Sequence, residues 1–336
     1  MKSINIILFL FLFLFTGCSF YNKGLDNNFF LNDSNKIALV FPSKVVGKYG
    51  QDTINTMISY MIHNSFNFEL EVFDSKSQEL DDIKETFDNI NKKKFTNIII
   101  LYTVDALKNL FKIENLDKFT IYFPLINKKN SNYYSSKIFY GGLDYKNQIH
   151  RLLNIDNNNN SIVYTNNQLT LKLNNYIKNS NKPINTISKF DTNSISISKN
   201  FSNKRFDNTS LFLNTSIIDT SMILSQLRIY DRQVNKTLST QLNYTPLLLS
   251  LTQYLDRKNL LIANSIDPID SKLQETLSIL GLDVQYNWVN YSTLIGIDFL
   301  FNKYDTKLFP SKIQYNQVEY PVYIYKTNRY KFKKVE

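Results

Sequence analysis

Apolar and polar positions follow one another along the chain in blocks that predict strands and helices in turn. A continuous apolar run over 37–41 is typical of a strand buried on both faces of a parallel sheet. Beyond Gly47, apolar residues from Ile54 to Ile62 recur at the spacing of one helical face. The unit then repeats, with strands predicted over 68–73, 97–102 and 119–123 and helices over 80–90 and 104–111. This alternation predicts a parallel sheet with helices on both faces.

A second lobe is predicted after the low-complexity segment 156–160, where the same rhythm resumes. Strands are predicted over 161–164, 184–190, 210–214, 236–242 and 260–263, and helices over 168–177, 221–230, 271–280 and 288–301; segments 314–320, 322–325 and 330–335 predict an antiparallel ending. We expect an α/β protein with two doubly wound parallel-sheet lobes, between which the chain crosses more than once. The predicted boundaries are 36–153 and 245–308 for lobe 1, and 154–244 and 309–336 for lobe 2.

The first residues have the three zones of a bacterial lipoprotein signal. Lys2 supplies a positive charge, an unbroken apolar run covers 6–15, and Thr16 and Gly17 precede Cys18. A spanning helix needs about 20 apolar residues, so this shorter run predicts a signal peptide over 1–17. Cys18 is the single cysteine of the chain, which favours lipid attachment there over an ordinary signal peptide with a chance cysteine. A polar tether is expected over 18–35.

Composition adds a basic charge but no visible chemistry. The formal net charge is +10, yet lysines are scattered among many asparagines, which indicates a solvated basic surface and no nucleic-acid partner. Eight glycines are few for nucleotide-binding loops, and no P-loop, GxSxG or HExxH motif occurs. His63 and His150 fall on separate predicted helices, with no partner for a metal site. Asp267 and Asp270 suit a turn and a helix cap better than a catalytic pair. We therefore expect no enzyme, cofactor or metal.

Four collinear segments resemble the C-terminal domain of LppC-type lipoproteins, the penicillin-binding protein activators, within the type I periplasmic binding protein-like superfamily. They are the first strand and its loop over 37–51, the segment 138–144, the strand and helix over 210–214 and 224–230, and Leu-Ile-Gly-Ile-Asp over 294–298. Lys44 replaces a residue that is usually small in the family. The N-terminal helical-repeat domain of its larger members has no counterpart in these 336 residues.

This resemblance implies a non-catalytic lipoprotein that reaches into the periplasm and binds or stimulates a peptidoglycan synthase. Ser19 follows Cys18, and by resemblance to enterobacterial sorting this favours the outer membrane. A purely structural envelope lipoprotein is a further alternative.

The rival hypothesis is a solute-binding lipoprotein whose lobes close on an amino-acid-like ligand. Its cleft would be lined by loops at the carboxyl ends of the strands. Ser43 and Thr103 would offer hydroxyls to a carboxylate, although both could instead cap the helices that follow them. The candidate cleft residues are Ser43, Tyr49, Thr103, Tyr164, Thr165 and Asn214.

Overall fold

The computed structural model describes residues 36–191 and 201–335, which form two seven-stranded sheets. The predicted signal peptide, Cys18 and the predicted tether lie outside the described residues, so their assignment stays a prediction. Each sheet is mostly parallel and carries helices on its faces, as the alternating pattern of the sequence predicts.

The first sheet has the strand order β11-β12-β5-β4-β3-β1-β2, in which only the β11–β12 pair is antiparallel. Its strands are β1 (Lys36–Phe41), β2 (Glu69–Asp74), β3 (Asn97–Ile100), β4 (Thr120–Phe123), β5 (Ile138–Tyr140), β11 (Lys312–Gln314) and β12 (Gln317–Glu319). The helices of this lobe are α1 (Ser43–His63), α2 (Leu80–Lys92), α3 (Leu107–Leu110), α9 (Ser271–Ile279) and α10 (Trp288–Phe301).

The second sheet has the order β14-β13-β10-β9-β8-β6-β7, parallel from β7 to β10 and antiparallel at β13 and β14. Its strands are β6 (Asn160–Tyr164), β7 (Ile184–Lys189), β8 (Ser210–Asn214), β9 (Lys236–Ser239), β10 (Leu260–Asn264), β13 (Tyr323–Thr327) and β14 (Phe332–Lys334). The helices of this lobe are α4 (Tyr145–Leu153), α5 (Gln168–Lys178), α6 (Ile217–Ile229), α7 (Pro246–Leu251) and α8 (Tyr254–Arg257).

The apolar run of β1 shows why the strands form at the centre of a three-layer lobe. Residues Ile37 to Val40 are fully buried, and successive side chains point to opposite faces of the sheet. Ile37 and Leu39 join the core under α1, α9 and α10, whereas Ala38 and Val40 join the core under α2 and α3. A strand buried on both faces needs this continuous apolar pattern.

The chain crosses between the lobes three times, between β5 and α4, between β10 and α9, and between β12 and β13. Helix α4 belongs to the second lobe, because Ile149 and Leu152 pack with Phe212 of β8. Helices α9 and α10 return to the first lobe, where both pack on α1.

The predicted lobe boundaries are therefore wrong in three places. Residues 145–153 and 245–264 belong to lobe 2, and 309–320 belong to lobe 1. The low-complexity segment 156–160 lies inside lobe 2, as a loop that leads into β6, rather than at the crossing. The physical reason is that local patterns specify a strand or a hairpin but not the sheet edge that it joins. The antiparallel ending divides at Pro321, with one hairpin in each sheet.

Candidate functional site

The carboxyl ends of the parallel strands in both lobes carry five of the six residues that the sequence proposes for a ligand cleft. Ser43 begins α1 after β1, and Thr103 follows β3. Tyr164 and Asn214 are the last residues of β6 and β8, and Thr165 follows β6. Tyr49 lies farther along α1, on a helix that packs in the lobe 1 core.

Ser43 and Thr103, the two proposed hydroxyl donors of lobe 1, both form hydrogen bonds within the protein. The backbone N–H of Ser43 donates to Asp74 Oδ1 over 3.0 Å. Partial burial raises the pKa of Asp74, but hydrogen bonds from the hydroxyl and the N–H of Ser43 outweigh it, and the pKa lies below its ordinary value. Thr103 Oγ1 donates to Gln78 Oε1 over 2.7 Å. Neither side chain caps a helix, so the capping alternative is not what the structure shows.

The lobe 2 candidates have different surroundings. Asn214 is buried, and its Nδ2 donates to Asn174 Oδ1 over 2.7 Å, while its Oδ1 has no hydrogen-bond partner among the described residues. Thr165 Oγ1 accepts from Asn167 Nδ2 over 3.3 Å. Tyr164 is half-buried and packs against the core between α4 and α5. These three residues lie together at the carboxyl ends of the neighbouring strands β6 and β8, where Asn214 is buried.

A buried amide network lies at the same edge of lobe 2. Gln148 of α4 is fully buried and donates through Nε2 to Gln241 Oε1 and to Ser265 Oγ, each over 3.0 Å. Its Oε1 accepts from the backbone N–H of Gln241. Since α4 follows the first crossing and Ser265 precedes the second, these bonds fix two crossings to one another. The sequence gives no periodic signal for such a network.

A cavity of about 440 Å³ lies where the lobes meet, and none of the six predicted residues lines it. Its wall combines Lys129 from the loop after β4, Asp144 to Lys146 at the start of α4, and Lys172 and Tyr176 from α5. Lys172 Nζ donates across the junction to Asn130 Oδ1 over 2.7 Å. Lys129 Nζ donates to Asp144 Oδ2 over 2.6 Å. These lysines are scattered along the sequence and form no motif, so their clustering is apparent only where the two lobes pack together.

The described residues contain no metal-binding group of three or more His, Cys, Asp and Glu side chains. His63 ends α1 and His150 lies exposed on α4 of the other lobe. Asp270 caps α9 by accepting from the N–H groups of Lys272 and Leu273, as the sequence predicts. Asp267 is buried beside Tyr323 rather than paired with Asp270.

None of the helices within 36–191 and 201–335 has the length and apolar character that a membrane span requires.

Comparison with known proteins decides the fold. A protein of Rhodospirillum rubrum assigned to branched-chain amino acid ABC transport superposes with a TM-score of 0.70 at 8% identity, over 89% of this chain and 99% of its own. The C-domain of LpoA from Haemophilus influenzae, a regulator of PBP1A, superposes with a TM-score of 0.60 at 12% identity, over 90% of this chain and 100% of its own. The fold is that of the type I periplasmic binding proteins.

Full-length LpoA is matched over 59% of its length, with a TM-score of 0.63 and 11% identity. No family model matches the sequence, and no curated protein matches it either. The structural neighbours of this chain thus include both a regulator and binding proteins linked to transport. At these sequence identities they establish the fold alone.

Proposed function

We propose that the chain is a non-enzymatic, lipid-anchored envelope protein that faces the periplasm, in the outer membrane, and regulates a penicillin-binding protein. The observation that carries the proposal is the match to the LpoA C-domain over its whole length. The four LppC-like segments of the sequence support it independently, since they occur in the same order along the chain.

The state of the cleft also supports a regulator. An amino-acid-like solute needs free hydrogen-bond donors where its carboxylate would lie. The hydroxyl of Thr103 donates to Gln78, and the N–H of Ser43 donates to Asp74. A ligand would have to replace both sets of bonds, which reduces the net gain on binding.

The test is a reconstituted synthesis assay. A chain that begins at Ser19, and so carries neither the apolar signal run nor a lipid, is added to purified penicillin-binding proteins of its own bacterium, and glycan polymerisation and cross-linking are followed. We expect a faster reaction with one synthase and co-purification of that synthase after mild crosslinking in membranes. Recovery of a transporter permease alone, with no change in any synthase, would contradict the proposal.

Solute binding is the second candidate, and the cavity of about 440 Å³ between the lobes is the observation that favours it. Its volume lies within the range of small-molecule sites, about 300–1,000 Å³. A transport-type binder should gain thermal stability with leucine or isoleucine, because a ligand that binds only the folded state stabilises it. An unchanged melting temperature with both amino acids would count against this candidate.

A further inference from the structure

The cavity at the lobe junction, defined above by its lysine-bearing wall, has an excess of positive charge. Three lysines line it, Lys129, Lys146 and Lys172, against the single carboxylate of Asp144. Asp144 pairs with Lys129 and also caps α4 by accepting from the N–H of Asn147 over 3.1 Å. This one carboxylate therefore pairs with Lys129 and caps α4, so Lys146 and Lys172 have no carboxylate partner in the wall.

Lys172 is the better placed of these two cations. It comes from α5 in lobe 2 and reaches the amide oxygen of Asn130 in lobe 1. Lys172 is exposed on α5, but partial burial of its ammonium group in the cavity lowers its pKa. An amide oxygen compensates a partly desolvated ammonium less well than a carboxylate does. Lys172 therefore holds a position where an anion would bind more strongly than the present partner.

Lys146 supplies the second cation from the first turn of α4. Among residues 36–191 and 201–335, neither Lys146 nor Lys172 has a carboxylate within ion-pair distance. Tyr145 and Tyr176 add aromatic surface beside these two cations. The wall therefore combines two charges from different elements with apolar faces between them.

We propose that this cavity binds a small solute with two carboxylates, of the size of a dicarboxylate or an acidic dipeptide. One carboxylate would pair with Lys172 of lobe 2 and the other with Lys146 at the crossing into that lobe. The volume of about 440 Å³ suits such a solute and exceeds what a single inorganic ion fills. The site contains none of the six predicted cleft residues, and the inference rests on the solute-binding candidate, for which it names a class of solute. Binding of leucine or isoleucine but of no dicarboxylate would overturn the inference and leave that candidate standing.

The experiment titrates a chain that begins at Ser19 with succinate, glutarate and the dipeptide Ala-Glu, each of which carries two carboxylates, using calorimetry and thermal unfolding. Acetate and sodium chloride at equal ionic strength serve as reference solutes. We expect saturable binding of at least one dicarboxylate and a higher melting temperature than in the reference solutes. Replacing Lys172 or Lys146 by Gln should weaken binding about tenfold or more, since each removes one charge-assisted hydrogen bond.

Lys178→Gln is the matched control, because Lys178 is exposed in the last turn of the same helix α5 and does not line the cavity. It should bind the dicarboxylate as the parent does. The proposal fails if Lys172→Gln, Lys146→Gln and Lys178→Gln all bind equally. It also fails if all three acids act no differently from sodium chloride.

Discussion

At the scale of single residues, the buried carboxylate of Asp298 joins three parts of lobe 1. It is fully buried in α10 and accepts from Tyr60 Oη of α1 over 2.7 Å. Its other oxygen accepts from the backbone N–H groups of Lys307 and Leu308, over 2.6 and 3.0 Å. This one side chain therefore ties α10 to α1 and to the segment that leads into β11.

Asp298→Ala should destabilise the protein strongly, because it leaves the buried Tyr60 hydroxyl without its acceptor and also removes the acceptor of two part-buried backbone N–H groups. We expect a loss of about 3 kcal/mol or more in the free energy of unfolding, measured by urea denaturation. Asp88→Ala, on the exposed face of α2, is the control and should change it by less than about 0.5 kcal/mol. Equal midpoints for the two variants would refute this role.

Asp267 is a second buried carboxylate, placed at the second crossing. Only 6% of the residue is exposed, and its Oδ2 has no hydrogen-bond partner among the described residues. Burial raises the pKa of Asp267, although a hydrogen bond with Tyr323 and the charge of Lys334 oppose the rise. The same hydrogen bond raises the pKa of Tyr323 to about 12. The ionised form of Asp267 thus has a poor environment in the folded protein.

The stability of the protein should fall as the pH rises above the ordinary Asp pKa of about 4, because the folded state then holds this proton more tightly than the unfolded chain. Asp267→Asn removes the ionisation and should flatten this part of the profile. Melting temperatures between pH 4 and 7 test this, with Asp88→Asn as a control that should follow the parent. A parallel profile for Asp267→Asn would show that the carboxylate does not carry the effect.

At the scale of elements, the strand and helix blocks were predictable where burial alone determines them. The prediction for β8 and α10 matches the structure at both ends, because each is an apolar block with polar residues at its limits. Helix α1 begins earlier than its apolar face predicts, at Ser43, since its first turns are partly exposed. Strand β5 has only three residues and was apparent only as part of a family-like segment.

Helix α10 also depends on a close approach that sequence patterns do not reveal. A Cβ at Gly296 would collide with the ring of Tyr122, which is fully buried in β4. Tyr122 Oη donates to the Ser292 carbonyl over 2.9 Å, so the ring is held from the other end as well. Gly296 is therefore required for α10 to pack on the sheet.

Gly296→Ala should cost about 1–3 kcal/mol of stability, because an inserted methyl group forces Tyr122 out of its packed position. Gly47→Ala in α1 is the matched control. A Cβ there meets only Ser43 Cβ at 3.9 Å, so the change should be neutral or slightly stabilising. Thermal unfolding of both variants is the measurement. Equal changes in the two melting temperatures would contradict the packing argument.

At the scale of the whole molecule, two doubly wound lobes were predictable, but the contacts between the lobes were not. The alternation of blocks predicts two parallel sheets and more than one crossing, and both are confirmed. The contact between Lys172 and Asn130 joins residues 42 positions apart in different lobes, and no local pattern specifies it. Five of the six cleft residues lie at or shortly after the carboxyl ends of strands, whereas Tyr49 lies within α1, and their sharing of one ligand stays a prediction.

The proposed anchor is also a property of the whole molecule. Cys18→Ser should abolish palmitate labelling, because Cys18 is the single cysteine of the chain and its thiol forms the lipid thioether. Ser19→Ala is the control and should stay labelled and membrane-bound. A chain that begins at Ser19 should still act on its partner in solution, since the described residues lie outside the removed segment. Labelling that persists in Cys18→Ser would overturn the anchor.

The division of the last two hairpins between the sheets has a consequence for folding during synthesis. β12 completes lobe 1 beside β5, and β13 completes lobe 2 beside β10. Until residues 312–334 leave the ribosome, both lobes keep an uncovered strand edge on which other chains could pair. A premature stop after α10 would therefore leave two aggregation-prone halves rather than one finished lobe and one damaged lobe.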